Sequence, residues 1–321
     1  MEASSPAAAE GPRLIADIGG THSRCALVTN GKAGEPHVVR NDEHADIESM
    51  LRAGLAALAS ATRVTEGAIA IAAPVRGDEV HMTNRGWRFS IEKLRSRLGL
   101  VRLDVLNDFT AIALALPHIP PDQRVAIGGG TPLPRRAMAA IGPGTGLGVS
   151  ALIPHRSGWA AASGEGGHVT LPASNELEAR LIERARARFG HVSAERLVSG
   201  PGMLALHELL ALELGKTAGA RTPEEVSALA AGGDDLARRT LDLFFELLGT
   251  VAADVALTFG ALGGVYLAGG ILPHLRDPLL ASGFRERFES KGRYDEYLRA
   301  IPTYLVTAPQ PGLLGLAASF G

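Results

Sequence analysis

The first third of the chain alternates short, continuous apolar runs with a segment whose apolar residues recur at helical spacing. The apolar runs predict buried strands at residues 14–18, 25–29, 67–74 and 102–108. Apolar residues three or four positions apart at 47–58 predict an amphipathic helix. Because strands that alternate with helices are typical of α/β proteins, this pattern predicts an α/β sheet.

Turn and cap residues mark several ends of these elements. The pair Asn30-Gly31 is typical of a hairpin turn, here before a strand at residues 37–40, and Ser90 is a suitable N-cap for the helix that follows it. Asn175 and Glu178 resemble a capping box, and a glycine at position 190 is placed to end the helix that this box begins.

The middle of the chain repeats the opening pattern. Residues 138–153 again predict a strand, a glycine-rich turn and a strand, which we interpret as a weak internal repeat of two similar halves. Residues 234–260 predict a longer helix. The apolar stretch at 249–272 is long enough for a membrane span, but its glycines divide it. We therefore favour a buried helix, a turn and a buried strand.

Composition restricts the class of protein. The chain has 321 residues and a formal net charge of −2, so its length suggests about two domains and its charge gives no reason to expect nucleic acid as a partner. Cys25 is the single cysteine and cannot form an intramolecular disulfide, which fits a cytoplasmic location. Residues 1–12 lack the basic and apolar regions of a signal peptide, so we expect a disordered tail and no membrane association.

Two glycine-rich turns carry the candidate chemistry. Backbone N–H groups reach phosphate oxygens closely only where side chains are absent, and DIGGT at 17–21 and GPGTG at 142–146 each provide such a place. Neither turn fits a Walker loop or GxGxxG, so each alone could be a plain hairpin turn. Two such turns in matching halves favour phosphate binding. Thr21 and Thr145 could donate hydroxyl groups to the phosphates, and Asp17 could hold Mg²⁺ directly or through water.

Seven blocks between about residue 14 and residue 320 are distinctive: DIGGTHSR, LNDFTAIALALP, IGPGTGLGVSALI, SGEGGHV, FGHVSAERLVSGPG, GGVYLAGGILP and ASGFRERFESKGRYDEYLRAIPTYLV. Together they resemble the bacterial glucokinases, a family of the sugar-kinase, actin and heat-shock chaperone superfamily. The GEGGH and HVSAERLVSGPG blocks are specific to this family, whereas DIGGT is shared across the superfamily. The resemblance implies a two-domain α/β fold of the actin-like ATPase (ribonuclease H-like) sugar kinases, with a central cleft between the domains.

The resemblance also implies how ATP binds. The two glycine turns correspond to the first and second phosphate loops, and AGG at 268–270 corresponds to the segment near the adenosine. The implied nucleotide-binding residues are Asp17, Ile18, Gly19, Gly20, Thr21, Gly144, Thr145, Gly146, Gly269 and Gly270, with Asp17 as the magnesium ligand. A related subgroup carries a cysteine-rich zinc motif, which one cysteine cannot form.

Asp108 is the candidate general base for transfer to a sugar hydroxyl. It directly follows a predicted strand, where α/β proteins place ligands, and its carboxylate could accept the hydroxyl proton late in the transition state. Asn107 beside it could bind a sugar hydroxyl. By position alone, this pair could equally cap the helix that starts at Phe109, but the match of LNDF to the family favours catalysis.

Further polar residues are implied to contact glucose. Glu165 and His168 lie on one glycine-rich loop, where a carboxylate can bridge two hydroxyls and an imidazole can bind a third. Without the resemblance, this would be a surface loop with an incidental acid. Glu195 is a third contact by resemblance, although alone it is an ordinary acid at a helix start. Asn84 is implied on a loop near the sugar, but turn chemistry explains it equally well.

Together these features predict ATP-dependent phosphorylation of D-glucose to D-glucose 6-phosphate by a cytoplasmic homodimer. The smaller domain is expected to comprise residues 1–117 plus 306–321, and the larger domain residues 118–305. We expect the cleft to close over glucose, because water otherwise competes with the sugar for the γ-phosphate.

Three alternatives remain open at this point. The same fold could phosphorylate another hexose, such as mannose, fructose or an amino sugar. A non-enzymatic sugar-responsive regulator would carry a helix-turn-helix ahead of the kinase fold, and the first strand begins too early to leave room for one. An actin-like filament or chaperone ATPase would have the glycine turns but no reason to carry the GEGGH and NDF residues.

Overall fold

The structure is a computed structural model that describes residues 11–58, 63–82, 85–156 and 158–320. These residues form two compact units. Unit 1 contains the described residues up to His118 together with those from Gln310 onward, and unit 2 contains Ile119–Pro309.

Strands and helices alternate through both units. The strands are β1 Arg13–Ile18, β2 His22–Thr29, β3 Lys32–Ala33, β4 His37–Arg40, β5 Glu66–Ile71, β6 Glu79–Met82, β7 Trp87–Ser90, β8 Arg102–Asn107, β9 Arg124–Ala126, β10 Met138–Pro143, β11 Leu147–His155, β12 Gly158–Ser163, β13 Val265–Leu267 and β14 Thr303–Val306. The helices are α1 Ile47–Leu58, α2 Ile91–Leu98, α3 Asp108–Ala115, α4 Glu176–Phe189, α5 Ala194–Leu197, α6 Gly200–Glu213, α7 Pro223–Ala231, α8 Asp235–Phe259, α9 Arg276–Ala281, α10 Phe284–Glu289, α11 Asp295–Arg299 and α12 Pro311–Ala318.

The sheet of unit 1 has the order β3-β2-β1-β5-β8, and β4 also pairs with β2. β1 and β2 form an antiparallel hairpin, whereas β1, β5 and β8 are parallel. Their register places Ile18 opposite Ile71 and Ile71 opposite Asn107. The first glycine turn and Asp108 therefore follow strands that end at one edge of the same sheet, the edge where parallel α/β sheets bind ligands.

The sheet of unit 2 repeats this arrangement with the order β12-β11-β10-β13-β14-β9. β10 and β11 form an antiparallel hairpin around the second glycine turn, and β10, β13 and β14 are parallel. The internal repeat indicated by the sequence is thus present in the strand order of both sheets.

Both faces of the unit 1 sheet are covered, which explains why its strands are continuous apolar runs. One face packs against α1 and α2, with Leu14 and Ile69 among its buried residues. The other face packs against α3 and α12, with Ile15 and Leu316 buried. The contact between α3 and α12 is close, because a Cβ at Gly315 would lie 1.7 Å from the carbonyl oxygen of Ala111.

The long helix α8 passes through the core of unit 2. Its N-cap Asp234 accepts a hydrogen bond from the Ala237 amide at 2.8 Å, and Gly260 ends it with a left-handed φ of 59°. β13 follows after a short turn, so the apolar stretch at 249–272 is a buried helix and strand, as expected. No helix within the described residues is both long and apolar enough to cross a membrane.

The local signals in the sequence are largely confirmed. Asn30 and Gly31 both have positive φ, of 53° and 73°, as a two-residue hairpin turn requires. Ser90 accepts a hydrogen bond from the Lys93 amide at 3.1 Å and caps α2. The capping box of α4 differs in one detail: Asn175 caps the Glu178 amide at 2.9 Å, but the Glu178 carboxylate accepts from the amide of the residue before the cap.

Residues 37–40 form the expected strand, β4, but the two-residue β3 lies between it and the Asn30-Gly31 turn, on the same edge of β2. The strands β9, β12 and β14 and the β6–β7 hairpin were not predicted. The alternation in β6 and β7 is short, with charged and polar residues on the exposed face, so these strands showed no clear apolar pattern.

We predict that Gly54→Ala destabilises unit 1, although alanine normally favours a helix by about 1 kcal/mol. The added Cβ would lie 2.6 Å from the buried Cys25 Sγ. The overpacking should lower the free energy of unfolding by about 1–2 kcal/mol, measured by chemical denaturation. The loss should be smaller in a Cys25→Ala background, where the sulfur is absent. A Gly54→Ala variant at least as stable as the wild type would contradict this contact.

Candidate active site

The first glycine turn is a tight connection between β1 and β2. The Gly19 amide donates to the His22 carbonyl at 3.2 Å, which leaves Gly20 and Thr21 at the tip. A Cβ built on Gly20 would meet nothing within 4 Å, and its φ is not in the left-handed range. Neither the backbone conformation nor packing within the chain explains why Gly20 has no side chain.

Asp17 and Ile18 lie at the end of β1, immediately before this turn. Asp17 is opposite Arg24 on β2, and a Cβ at Gly312 in the first turn of α12 would lie 2.9 Å from its Oδ2. Burial raises the pKa of the Asp17 carboxyl, and the charge of Arg24 only partly offsets this effect. The charged form of the Asp17 carboxylate is therefore less well solvated in the folded protein than in water.

Asn107 and Asp108 form the junction between β8 and α3. Asn107 is the N-cap of α3, and its Oδ1 accepts from the amides of Phe109 at 3.0 Å and Thr110 at 3.4 Å. The capping interpretation therefore holds for Asn107. Asp108 is the first residue of the helix, is partly buried, and accepts from the Phe109 amide through Oδ1 at 2.9 Å.

The second glycine turn joins β10 and β11 in unit 2. The Gly144 amide donates to the Gly146 carbonyl at 2.8 Å, and the Gly144 carbonyl accepts from the Gly200 amide at the start of α6, also at 2.8 Å. Thr145 is at the tip. A Cβ built on Gly144 would meet nothing within 4 Å. As at Gly20, packing within the chain therefore does not explain why this position has no side chain.

The AGG segment lies directly against the second turn. The Ala268 amide donates to the Ile141 carbonyl at 2.9 Å, and a Cβ at Gly142 would lie 2.0 Å from the Ala268 carbonyl oxygen. Gly269 has a left-handed φ of 91°, while Gly270 again has open space where a Cβ would be. The structure thus brings together the nucleotide residues expected in unit 2.

Three of the expected sugar contacts converge on the same part of unit 2. The His168 Nε2 lies 3.9 Å from Glu165 Oε2, and its Nδ1 lies 3.9 Å from Glu195 Oε1. Both distances are too long for hydrogen bonds. Glu165 and His168 are exposed, whereas Glu195 is partly buried.

Glu195 also connects this cluster to the second glycine turn. Its Oε2 accepts from the Leu147 amide at 2.9 Å, and a Cβ at Gly146 would lie 2.5 Å from the same oxygen. A Cβ at Gly167 would lie 2.1 Å from the Leu147 carbonyl oxygen. The GEGGH loop, Glu195 and the turn therefore form one interlocked structure within unit 2.

Glycines that neither the backbone conformation nor packing requires are concentrated in these segments. Among the described glycines, those with neither a left-handed φ nor an atom within 4 Å of a built Cβ are Gly20, Gly129, Gly144, Gly164 and Gly270. All except Gly129 belong to the two turns, the GEGGH loop or the AGG segment. Neither the backbone conformation nor packing within the chain therefore explains these glycines, and each leaves open space where a side chain would be.

Some site residues were missed, and one lies outside the structure's description. Asn84 is not among the described residues. No pattern in the sequence indicates that Gly312 lies beside Asp17, because the two residues are far apart along the chain. The sequence also did not indicate Leu147 or Asn41, which hold the two turns through backbone and side-chain contacts.

Comparison with known proteins decides the family. The sequence matches the model of the Glucokinase family over residues 14–321. The chain belongs to the glucokinase family. It is 49% identical over 309 residues to the glucokinase of Chromobacterium violaceum, covering 96% of this chain and 88% of that protein. It is 46% identical over 307 residues to the glucokinase of Paramagnetospirillum magneticum, covering 95% and 96%.

A solved structure agrees with this assignment. The crystal structure of a glucokinase from an Antarctic psychrotroph matches with a TM-score of 0.89 and 36% identity, covering 97% of this chain and 98% of that one. The predicted family and the predicted two-domain α/β sugar-kinase fold are therefore confirmed, and the chain is a glucokinase-family enzyme. ATP is the substrate that membership of this kinase family implies.

We predict that Asp17→Asn makes the protein more stable at neutral pH. The raised pKa means that, above the folded-state pKa, the charged carboxylate is less well solvated in the folded than in the unfolded state. Removing the charge should raise the thermal midpoint at pH 7, and the gain should shrink as the pH falls through that pKa.

Asp42→Asn is the matched control for this measurement. Asp42 is exposed, and a hydrogen bond from Arg40 lowers the pKa of its carboxyl, so its neutralisation should not stabilise the protein. Equal or lower midpoints for Asp17→Asn and wild type at pH 7 would contradict the account of a poorly solvated Asp17.

Proposed function

We propose that this protein transfers the γ-phosphoryl group of ATP to the 6-hydroxyl of D-glucose and releases D-glucose 6-phosphate. The observation that carries the proposal is the set of glycines that the fold itself does not require. They occur in both glycine turns, in the AGG segment and in the GEGGH loop. Phosphoryl transfer depends on close backbone approach to phosphates and on an acceptor hydroxyl held in line, which is the chemistry such surfaces provide.

The two glycine turns would bind the phosphates of ATP. Gly19, Gly20 and Thr21 supply the first turn, and Gly144, Thr145 and Gly146 the second. The threonine hydroxyls would donate to phosphate oxygens. Gly269 and Gly270 would contact the nucleotide beside the second turn, against which their segment packs.

Asp17 fits the role of the magnesium ligand. Its carboxylate is poorly solvated, and a divalent cation nearby would stabilise its charged form. Within the described residues, no cluster of three or more His, Cys, Asp or Glu side chains could hold a metal ion alone. This matches Mg²⁺ bound by one carboxylate, substrate phosphates and water, and bound Mg²⁺ would neutralise charge on the transferring phosphoryl group.

Asp108 would act as the general base, accepting the proton of the 6-hydroxyl as the bond to phosphorus forms. Its place at the N-terminus of α3, with one carboxylate oxygen bonded to the Phe109 amide, orients the group. Asn107 uses its oxygen to cap α3, so its amide N–H₂ is the group that would donate to a sugar hydroxyl. That nitrogen now lies 3.5 Å from the Ala73 carbonyl, a weak contact.

Glu165, His168 and Glu195 would bind the remaining hydroxyls of glucose. Neither 3.9 Å gap between His168 and a carboxylate is closed by a direct hydrogen bond. In the gap at the ring nitrogen that carries the proton, a sugar hydroxyl could accept from the imidazole N–H and donate to the carboxylate. Since Glu195 Oε2 is already bonded to the Leu147 amide, Oε1 would be its sugar-binding oxygen. We also keep Asn84 as a proposed sugar contact.

The domain boundaries, the oligomeric state and the cellular location complete the proposal. Residues 1–117 with 306–321 would form the smaller domain and residues 118–305 the larger. The enzyme would act as a homodimer. It would be located in the cytoplasm, whose reducing conditions suit a free cysteine such as the buried Cys25.

The test is sugar-phosphate formation from MgATP by the full chain, with glucose, mannose and fructose compared in parallel. Glucose should have the highest kcat/KM. In Asp108→Asn, kcat should fall by about 10²–10⁴-fold while glucose still binds, as measured by tryptophan fluorescence or calorimetry. Asp104→Asn is the matched control on β8, the strand that leads into Asp108. Its carboxylate pairs with Arg102, and the variant should retain activity.

Two outcomes would contradict the proposal. Higher kcat/KM for another hexose would move the substrate assignment away from glucose. An Asp108→Asn enzyme that keeps its wild-type kcat would exclude Asp108 as the base.

We further predict that Gly144→Ala impairs ATP use without harming the fold. Nothing within the chain lies near the added methyl group, so the thermal midpoint should change by less than about 2 °C, the scale of a small surface substitution. kcat/KM for ATP should fall by about 5- to 150-fold, because one misplaced phosphate contact costs about 1–3 kcal/mol. Gly129→Ala, which also has open space but lies outside the proposed site, should leave both quantities unchanged. Wild-type ATP kinetics in Gly144→Ala would contradict phosphate binding at this turn.

A further inference from the structure

Asn41 is a fully buried polar residue directly after β4, and nothing in the reaction described so far uses it. Its side chain has no exposed area. Its Nδ2 donates to the Gly19 carbonyl at 2.9 Å, and its Oδ1 accepts from the Ser23 hydroxyl at 2.7 Å. Its backbone amide donates to the Thr21 carbonyl at 2.9 Å. One residue therefore contacts the first glycine turn at both ends and the strand that follows it.

The amide orientation of Asn41 is determined by chemistry. The Gly19 carbonyl can only accept a hydrogen bond, so the side-chain atom facing it must be the donor nitrogen. The oxygen must then face Ser23, whose hydroxyl donates to it. An aspartate has the same shape but no donor for the Gly19 carbonyl, and it would place a second oxygen against that carbonyl.

Holding the Gly19 carbonyl also fixes where the next amide points. In a trans peptide, the C=O of one residue and the N–H of the next point in opposite directions. The chain contains no cis peptide bond among the described residues. Because Asn41 holds the Gly19 oxygen on the interior side, the Gly20 N–H is directed away from Asn41, at a glycine with open space around it.

Arg85 fixes Asn41 from the other side. Its guanidinium donates to the Asn41 carbonyl and stacks on Trp87, with 4.9 Å between the guanidinium carbon and the ring centroid. Trp87 is buried in the core of unit 1. The three side chains of Ser23, Asn41 and Arg85 thus form a clamp that connects the first glycine turn to the β6–β7 hairpin.

We propose that Asn41 is a positioning residue for phosphoryl transfer, which orients the Gly20 amide toward a phosphate oxygen of ATP. This inference rests on the proposed function, because it assigns the phosphate group as the ligand of the first turn. Asn41 does not touch the substrate. It fixes the donor in advance, so that no reorganisation is needed when charge develops on the transferring group.

The test compares Asn41→Asp and Ser23→Ala with the wild-type enzyme. Asn41→Asp should lower kcat/KM for ATP by about tenfold or more, since loss of one preorganised donor costs about 10²–10³-fold in other enzymes and here the donor is only misdirected. The dissociation constant for glucose should change by less than about threefold, because the residues proposed to bind sugar are not moved. Ser23→Ala removes the bond that holds Oδ1 and should give a smaller loss in the same direction.

A destabilised control separates positioning from general loss of structure. Leu94→Ala removes a buried side chain of α2 in the same unit, away from the turn, and should lower the thermal midpoint without changing kcat/KM for ATP. If Asn41→Asp behaves like Leu94→Ala, with reduced stability and wild-type ATP kinetics, the inference is overturned and Asn41 is only a structural residue.

The outcomes also separate this inference from the proposed function. Failure of the wild type to phosphorylate glucose would overturn the function. An active wild type with unchanged ATP kinetics in Asn41→Asp would overturn only the role of Asn41. If Asn41→Asp fails to fold, the inference is tested instead by kcat/KM for ATP in Ser23→Ala and Arg85→Lys. Unchanged kcat/KM for ATP in both would overturn the inference, and a selective loss in either would support it.

Discussion

A planar peptide group whose carbonyl is held inside the protein must direct the next amide outward, and both glycine turns are built on this constraint. In unit 1, the Asn41 side chain holds the Gly19 carbonyl at 2.9 Å, which directs the Gly20 amide away from it. In unit 2, the Gly200 amide holds the Gly144 carbonyl at 2.8 Å, which directs the Thr145 amide away from α6. The two halves of the repeat reach the same result with different donors, a buried side chain in one and a helix N-terminus in the other.

Several residues around these turns lower the stability of the folded protein, so selection for stability alone does not explain them. Asp17 is a carboxylate whose pKa is raised by burial, and Asn41 is a buried amide. Gly20 and Gly144 have the conformational freedom of glycine with no compensating contact within the chain. Such features are typical of functional sites, where the free energy of binding a charged ligand offsets the stability that the free protein loses.

Much of the fold could be predicted because its signals are local. Continuous apolar runs identified the parallel strands β1, β5, β8 and β13, although not β14. Ser90 and Asn175 identified helix starts, and Asn30-Gly31 identified a hairpin. The glycine turns and the repeat were likewise visible in the sequence. The interactions that hold the turns were not predictable, because they join residues far apart along the chain. Asn41 has the sequence context of an ordinary turn residue, and only its contacts with Gly19 distinguish it.

The most direct test of the account is a nuclear magnetic resonance titration of the ¹⁵N-labelled protein with a non-hydrolysable ATP analogue and Mg²⁺. The account predicts that the amide resonances of Gly20 and Thr145 shift strongly with the analogue and not with adenosine, which has no phosphates. Amide resonances at both turns that remain unchanged while the analogue is bound would contradict the claim that these turns bind phosphate.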